Sequence, residues 1–154
     1  MGHAPMFADE DFSAFSQLIG LASLGASDVD LPKLATIYWF TLEFGVCLEE
    51  NKRKAYGAGI LSSVGELAYA MSDEPEFLPL DCVKCGEDYQ DFPISSMQPT
   101  YFVAPSFLEV KEMLLDYCDS LATPFNPTYD ENTHTIKVDR NLVGVESEVG
   151  GDLF

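Results

Sequence analysis

A chain of 154 residues with 47% hydrophobic content is long enough to bury the core of one domain, or of a large part of one. Its formal charge of -18, from 8 Lys and Arg against 26 Asp and Glu, excludes the clustered cations that a nucleic-acid partner requires. No apolar run approaches the roughly 20 residues that cross a bilayer, and no charged segment with an apolar signal core opens the chain, so no membrane association and a cytoplasmic location are expected.

From about Asp11 to Leu24, the residues Phe12, Phe15, Ile19 and Ala22 recur at helical spacing, with acids in front and Gly25 behind, which predicts an amphipathic helix. After a turn over Ser27 to Asp30, Leu31, Leu34, Ala35, Tyr38, Trp39, Leu42 and Glu43 follow at steps of three and four. This predicts a second helix with Trp39 and Glu43 one turn apart on one face. Glu43 interrupts the apolar run Ile37 to Gly45. An ionised carboxylate in such a setting is tolerated when it is paired, hydrogen-bonded or bound to a metal. The plainer reading is a helical glutamate that faces water, as most do.

Val46 to Leu48 and Lys54 to Tyr56, joined by the charged stretch Glu49 to Arg53, predict a short hairpin. Gly57-Ala58-Gly59 allows a close backbone approach, and Ser63 with Glu66 has the spacing of a capping box that opens the next helix. The glycine pair has neither a Lys-Ser/Thr ending nor a dinucleotide fingerprint, so it is not a phosphate loop. Pro75 and Pro79 are expected to end that helix, and Asp81 to Gln98 reads as a long loop. Within it, Cys82 and Cys85 have a Cys-x-x-Cys spacing that suits half a zinc site or a redox pair. No second pair follows and Cys47 and Cys118 stand alone, so loop or core thiols in a reducing compartment are expected.

Tyr101 to Ala104 predicts a strand, Ser106 with Glu109 another capping box, and Phe107, Val110, Met113, Leu114 and Tyr117 one helix face. Phe125 to Asp130 and Thr133 to Val138 predict a terminal hairpin, with residues 141–154 a frayed acidic tail after a domain of residues 1–140. The fold class that follows is mainly α (α+β), with short β-hairpins.

Several of these stretches also carry a family likeness. Gly2-His3-Ala4-Pro5-Met6-Phe7, Phe15-Ser16-Gln17, Ile19 to Ala26, Ile37 to Gly45, Lys54 to Gly59, Leu61-Ser62-Ser63 and Gly65-Glu66-Leu67 resemble the pterin-dependent aromatic amino acid hydroxylases, in order and nearly in spacing. The likeness resumes at Gln98 to Val103, Ser106-Phe107 and Pro124-Phe125 to Val138. It implies part of a helical catalytic domain that uses Fe(II), tetrahydrobiopterin and dioxygen on an aromatic amino acid. By the same resemblance, His3 and Glu43 would be metal ligands, Trp39, Gly59 and Ser62 would line the substrate pocket, and Ala35 and Tyr38 would border the pterin. Ser62 would also orient a further histidine, and Glu66 would serve only as a cap.

That further histidine belongs to a His-Glu-x-x-Gly-His sequence whose first part would precede Met1, as would the arginine for the substrate carboxylate. Met1 takes the place of the residue before the glycine, which is expected of an internal methionine at the head of a partial sequence. His134 matches no ligand and is expected at the surface. With one ligand missing, the chain alone is expected to be inactive. Trp39 resembles the phenylalanine and tyrosine hydroxylases more than the tryptophan ones. Ile94, Phe77-Leu78-Pro79-Leu80 and Gln98-Pro99 resemble the phenylalanine 4-hydroxylating branch, and Tyr89-Gln90-Asp91 the tyrosine 3-hydroxylating one, and the phenylalanine branch is preferred. A non-catalytic ligand-binding or interaction module derived from the family is the remaining alternative. The family's habit of assembling through C-terminal elements implies a homo-oligomer for a full-length protein, while the final segment here, with no sustained heptad pattern, leaves assembly undecided.

Overall fold

In the computed structural model, which describes residues 2–140, a single turn, α1 (His3–Met6), leads into α2 (Glu10–Ser23). Asp9 stays extended and its carboxylate accepts the Phe12 N–H, while Glu10 and Asp11 put negative charge in the first turn; both favour a helix start at this point. Phe12, Phe15 and Ile19 then share one face and are buried. Ser27 and Asp30 exchange hydrogen bonds across the next turn. α3 (Asp30–Tyr38) follows, with Pro32 in its first turn, where no helical N–H is needed.

The regular helix expected through Glu43 stops at Tyr38. From Trp39 to Glu43 the ladder widens into a π segment, in which the Phe44 N–H donates to the Trp39 carbonyl at 2.8 Å. β1 (Val46–Glu49) and β2 (Lys52–Ala55) form the expected hairpin, turning on Glu50 and Asn51. Both have positive φ, 50° and 61°, the backbone of a two-residue turn whose twist matches the strands. α4 (Ala58–Ser62) and α5 (Val64–Ala70) come next.

α5 ends well before either proline, contrary to expectation. Pro75 instead precedes and Pro79 closes β3 (Glu76–Pro79), at the edge of a sheet, where a proline's missing N–H is tolerated. The stretch expected as a long loop contains α6 (Cys82–Asp88), opened by Asp81, whose carboxylate accepts the Lys84 N–H at 3.1 Å. Its 7 residues are too few to display a helical period. β4 (Thr100–Ala104) and α7 (Phe107–Ser120), capped by Ser106, form where expected, as does the hairpin of β5 (Pro127–Asp130) and β6 (Thr135–Val138).

The strands do more than pair as hairpins. β2, β1, β4 and β3 line up in that order, with β4 parallel to both β1 and β3 in the registers Val46↔Val103 and Phe77↔Tyr101. The described fold is therefore α+β as expected, helices around a four-stranded sheet plus a separate two-stranded hairpin, with a parallel pairing of strands that the expectation of short hairpins did not include. Parallel partners distant in sequence leave no local signal. β4 is covered on both faces. Phe102 and Ala104 join Phe12, Phe15, Leu34, Ile37 and Leu114 on one side, and Tyr101 joins Val46, Ile60 and Ala70 on the other. The expected acidic tail, residues 141–154, lies outside the described residues. Among the described residues, no helix is long and apolar enough to cross a membrane.

Close packing behind the π segment makes Gly45 sensitive. A Cβ there would stand 2.2 Å from the Thr41 carbonyl oxygen and 2.2 Å from Tyr56 Cζ, whereas at Gly20, exposed on α2, it would meet nothing within 4 Å. Gly45→Ala is expected to lose about 1–3 kcal/mol or more, and Gly20→Ala to gain about 0.5–1 kcal/mol. Urea unfolding of the two variants checks this, and equal midpoints would contradict the packing described.

Candidate functional site

His3 and Glu43 meet. The single turn α1 starts at His3, and Gly2 is tied down because its N–H donates to Ser62 Oγ at 2.9 Å. From there the His3 imidazole reaches the last residue of the π segment, with Nε2 at 3.0 Å from both carboxylate oxygens of Glu43. The Glu43 side chain is 19% exposed and that of His3 49%, so the acid is sheltered and the pair is open on the imidazole side.

Glycines make room for this acid. At Gly59 a Cβ would lie 3.0 Å from Glu43 Oε2 and 3.2 Å from Phe44 Cε2, and at Gly57 it would lie 2.4 Å from the Glu43 carbonyl oxygen. Gly59 is thus placed directly against the carboxylate. Ser62 Oγ donates to the Ala58 carbonyl at 2.7 Å and stands 3.4 Å from His3 Nδ1, so it touches the histidine that is present. The expectation that it orients a different histidine concerns a group outside this chain.

Two donor atoms each about 2.1 Å from one ion, at a right angle, stand about 3 Å apart. The His3–Glu43 separation has that size, and one imidazole nitrogen with one carboxylate suits a divalent first-row metal. Among the described residues, no third His, Cys, Asp or Glu joins them. His134, at φ 51° in the β5–β6 turn, is exposed and lies 2.9 Å through Nδ1 from the Tyr129 hydroxyl. It lines a cavity of about 800 Å³ with Phe7, Glu10, Asp11 and Glu131.

Trp39 opens the π segment that Glu43 closes. Its ring stacks on Phe92 at 4.6 Å with 17° between planes and contacts Phe44 at 4.7 Å, and its Nε1–H donates to Gln98 Oε1 at 3.0 Å. Ala35 and Tyr38 line a groove of about 420 Å³ between α2 and α3 with Ile19, Gly20 and Leu34. Neither His3 nor Glu43 lines that groove.

Phe92 and Gln98 were not expected at the site. Gln98 falls within a stretch that carries the family likeness, but a buried glutamine has no sequence signature of its own. Glu66 also differs from expectation. Its N–H is capped by Ser63 Oγ at 3.2 Å, as the spacing predicted, but the carboxylate turns inward, accepting the Tyr101 hydroxyl and, at 3.3 Å, the Gln98 N–H. A cap alone does not describe it.

Cys82 and Cys85 are free thiols buried between α6 and the core, in a helix and not the loop expected. Burial, followed by the nearby Asp81 carboxylate, pushes the Cys82 thiol up to about 12, and burial raises Cys85 as well. Neither is disposed to act as a thiolate. Only the unfolded chain can ionise these thiols near their ordinary value of 9.0, so the stability they protect is complete below that value and is lost as pH rises from it toward about 12. The urea midpoint is therefore expected to fall between about pH 8.5 and pH 10.5, and to fall less in Cys82→Ala/Cys85→Ala. An equal fall in both chains would contradict the burial of these groups.

The family described as biopterin-dependent aromatic amino acid hydroxylase matches residues 1–150. Phenylalanine-4-hydroxylase of Rattus norvegicus is 46% identical over 97% of this chain and 34% of its own length. Tyrosine 3-monooxygenase of Mus musculus is 46% identical over 97% of this chain and 31% of its own length. A crystal structure of Chromobacterium violaceum phenylalanine hydroxylase, with bound iron (III) and oxidised cofactor 7,8-dihydrobiopterin, is similar with a TM-score of 0.66 and 30% identity, over 79% of this chain and 46% of that one. The chain thus spans about a third of the length of these curated relatives. On the family match and these identities together, the chain belongs to the biopterin-dependent aromatic amino acid hydroxylases.

Proposed function

We propose that this chain supplies part of the centre of an iron(II)- and tetrahydrobiopterin-dependent aromatic amino acid monooxygenase, one that converts phenylalanine to tyrosine. The observation that carries the proposal is the 3.0 Å approach of His3 Nε2 to the Glu43 carboxylate, two donors of suitable chemistry brought together from 40 residues apart. His3 and Glu43 would hold the iron. Trp39, Gly59 and Ser62 would stand on the amino-acid side, and Ala35 and Tyr38 would border the pterin. When bound, iron and tetrahydrobiopterin supply the open coordination positions and the electrons that dioxygen needs to react with an aromatic ring.

The residues have definable tasks. Ser62 spends its own hydroxyl hydrogen on the Ala58 carbonyl, so it faces His3 as an acceptor. That favours the tautomer with the hydrogen on Nδ1 and leaves the Nε2 lone pair aimed toward Glu43, where the two would hold a metal ion between them. Metal affinity should therefore weaken as the solution is acidified. Gly59 leaves room for the carboxylate beside the Phe44 ring, which in turn packs on Trp39.

Tyrosine as the substrate is the second reading, favoured by the 46% identity to a tyrosine 3-monooxygenase. Identities of 46% and 50% to two phenylalanine-4-hydroxylases support the first.

Within this chain the pair provides two protein ligands, so weak binding of Fe(II) or Co(II) is expected, weakened about tenfold or more by Glu43→Gln in a titration followed by absorbance. Equal affinity in the variant would remove Glu43 from the proposed centre. The activity is tested with a version extended upstream by the His-Glu sequence of the family and supplied with iron and tetrahydrobiopterin. Faster consumption of phenylalanine than of tyrosine is expected, and the reverse order would favour the second reading.

A further inference from the structure

A buried hydrogen-bonded network ends on Trp39, the single tryptophan of the sequence. Gln98, 1% exposed, is its hub. Its Oε1 accepts the Trp39 indole N–H at 3.0 Å, its Nε2 donates to the Pro93 carbonyl at 2.7 Å, and its main-chain N–H donates to Glu66 at 3.3 Å. Glu66, itself buried, also accepts the Tyr101 hydroxyl, which fixes it to β4. The two ends of the amide cannot exchange places, because one meets a donor and the other an acceptor. Pro93 adjoins Phe92, whose ring lies nearly parallel on the indole at 4.6 Å.

We propose that Gln98 is a positioning residue for aromatic recognition: through one amide it holds the Trp39 indole and the loop that bears Phe92 at a fixed separation, so that an aromatic amino acid meets a rigid wall. The inference rests on the reading that Trp39 faces the substrate, and it adds two residues to that reading. Aromatic stacking alone does not set the orientation of an indole in its own plane. The N–H bond does. A bond from the same side chain to Pro93 then makes the place of Phe92 depend on the place of the indole, and Glu66 anchors the arrangement in the core.

The test reads Trp39 directly, because no other indole contributes. Gln98→Met keeps the bulk of the side chain and removes both amide bonds, whereas Phe92→Leu removes the stacked ring and leaves the amide in place. Indole N–H exchange with solvent, followed by NMR on the 154-residue chain, is expected to quicken about tenfold in Gln98→Met, the size of one net hydrogen bond. It should stay slow in Phe92→Leu, while the fluorescence of Trp39 shifts. Titration with L-phenylalanine, followed by the same fluorescence, is expected to saturate at about tenfold higher concentration in Gln98→Met than in the parent chain.

Unchanged exchange in a folded Gln98→Met overturns the proposal, whatever the amino acid does. Should that variant fail to fold, an unshifted Trp39 emission in Phe92→Leu overturns it instead. The expected exchange pattern with no response to L-phenylalanine, either in the parent chain or in the version extended upstream, upholds the clamp and removes Trp39 from the substrate side. Failure of the clamp and failure of the underlying reading are thus told apart.

Discussion

The approach of one imidazole to one carboxylate across 40 residues organises the described chain. A carboxylate that is 19% exposed, in an apolar run of the chain, needs a partner, and His3 provides one. Several features serve this contact. Gly2 is bonded to Ser62, which sets where the imidazole starts, while Gly59 leaves room for the carboxylate and Gly57 for the main chain of Glu43. The acid itself sits at the end of a π segment, so the backbone leaves the helix directly into β1.

That π segment is pinned at both ends by polar contacts. Trp39 at its start is held by Gln98, which comes just before β4, and Glu43 at its close is met by His3. β1, which follows the segment, runs parallel to β4 in the sheet. The sheet therefore relates the two pins, one leading into β4 and the other out toward β1. A widened helical turn is rare, and here two long-range bonds with an aromatic stack of Phe44, Trp39 and Phe92 hold it.

Much of this was legible in the sequence wherever the signal is local. The apolar spacing of Phe12, Phe15 and Ile19 marked α2, the serines at 63 and 106 marked two helix starts, and the stretch Glu49 to Arg53 marked a hairpin. The likeness to the hydroxylases singled out His3 and Glu43, which the folded chain brings within 3.0 Å. What escaped was non-local or too short. The parallel pairing of β3 and β4 joins segments separated by a helix, α6 has too few residues to show a period, and the π turn differs from a regular helix by a single residue of register. Glu66 was read through its spacing to Ser63, which accounts for its N–H; only the tertiary neighbours Tyr101 and Gln98 reveal where its carboxylate goes.

The account stands on the claim that His3 and Glu43 are two of the protein ligands of an iron site. Crystals of the chain soaked in Fe(II) without oxygen and measured at the iron absorption edge test it most directly. A single anomalous peak within about 2.2 Å of both His3 Nε2 and a Glu43 oxygen is the result predicted. A peak elsewhere, or a Glu43 side chain turned out into solvent with no ion beside it, would contradict it.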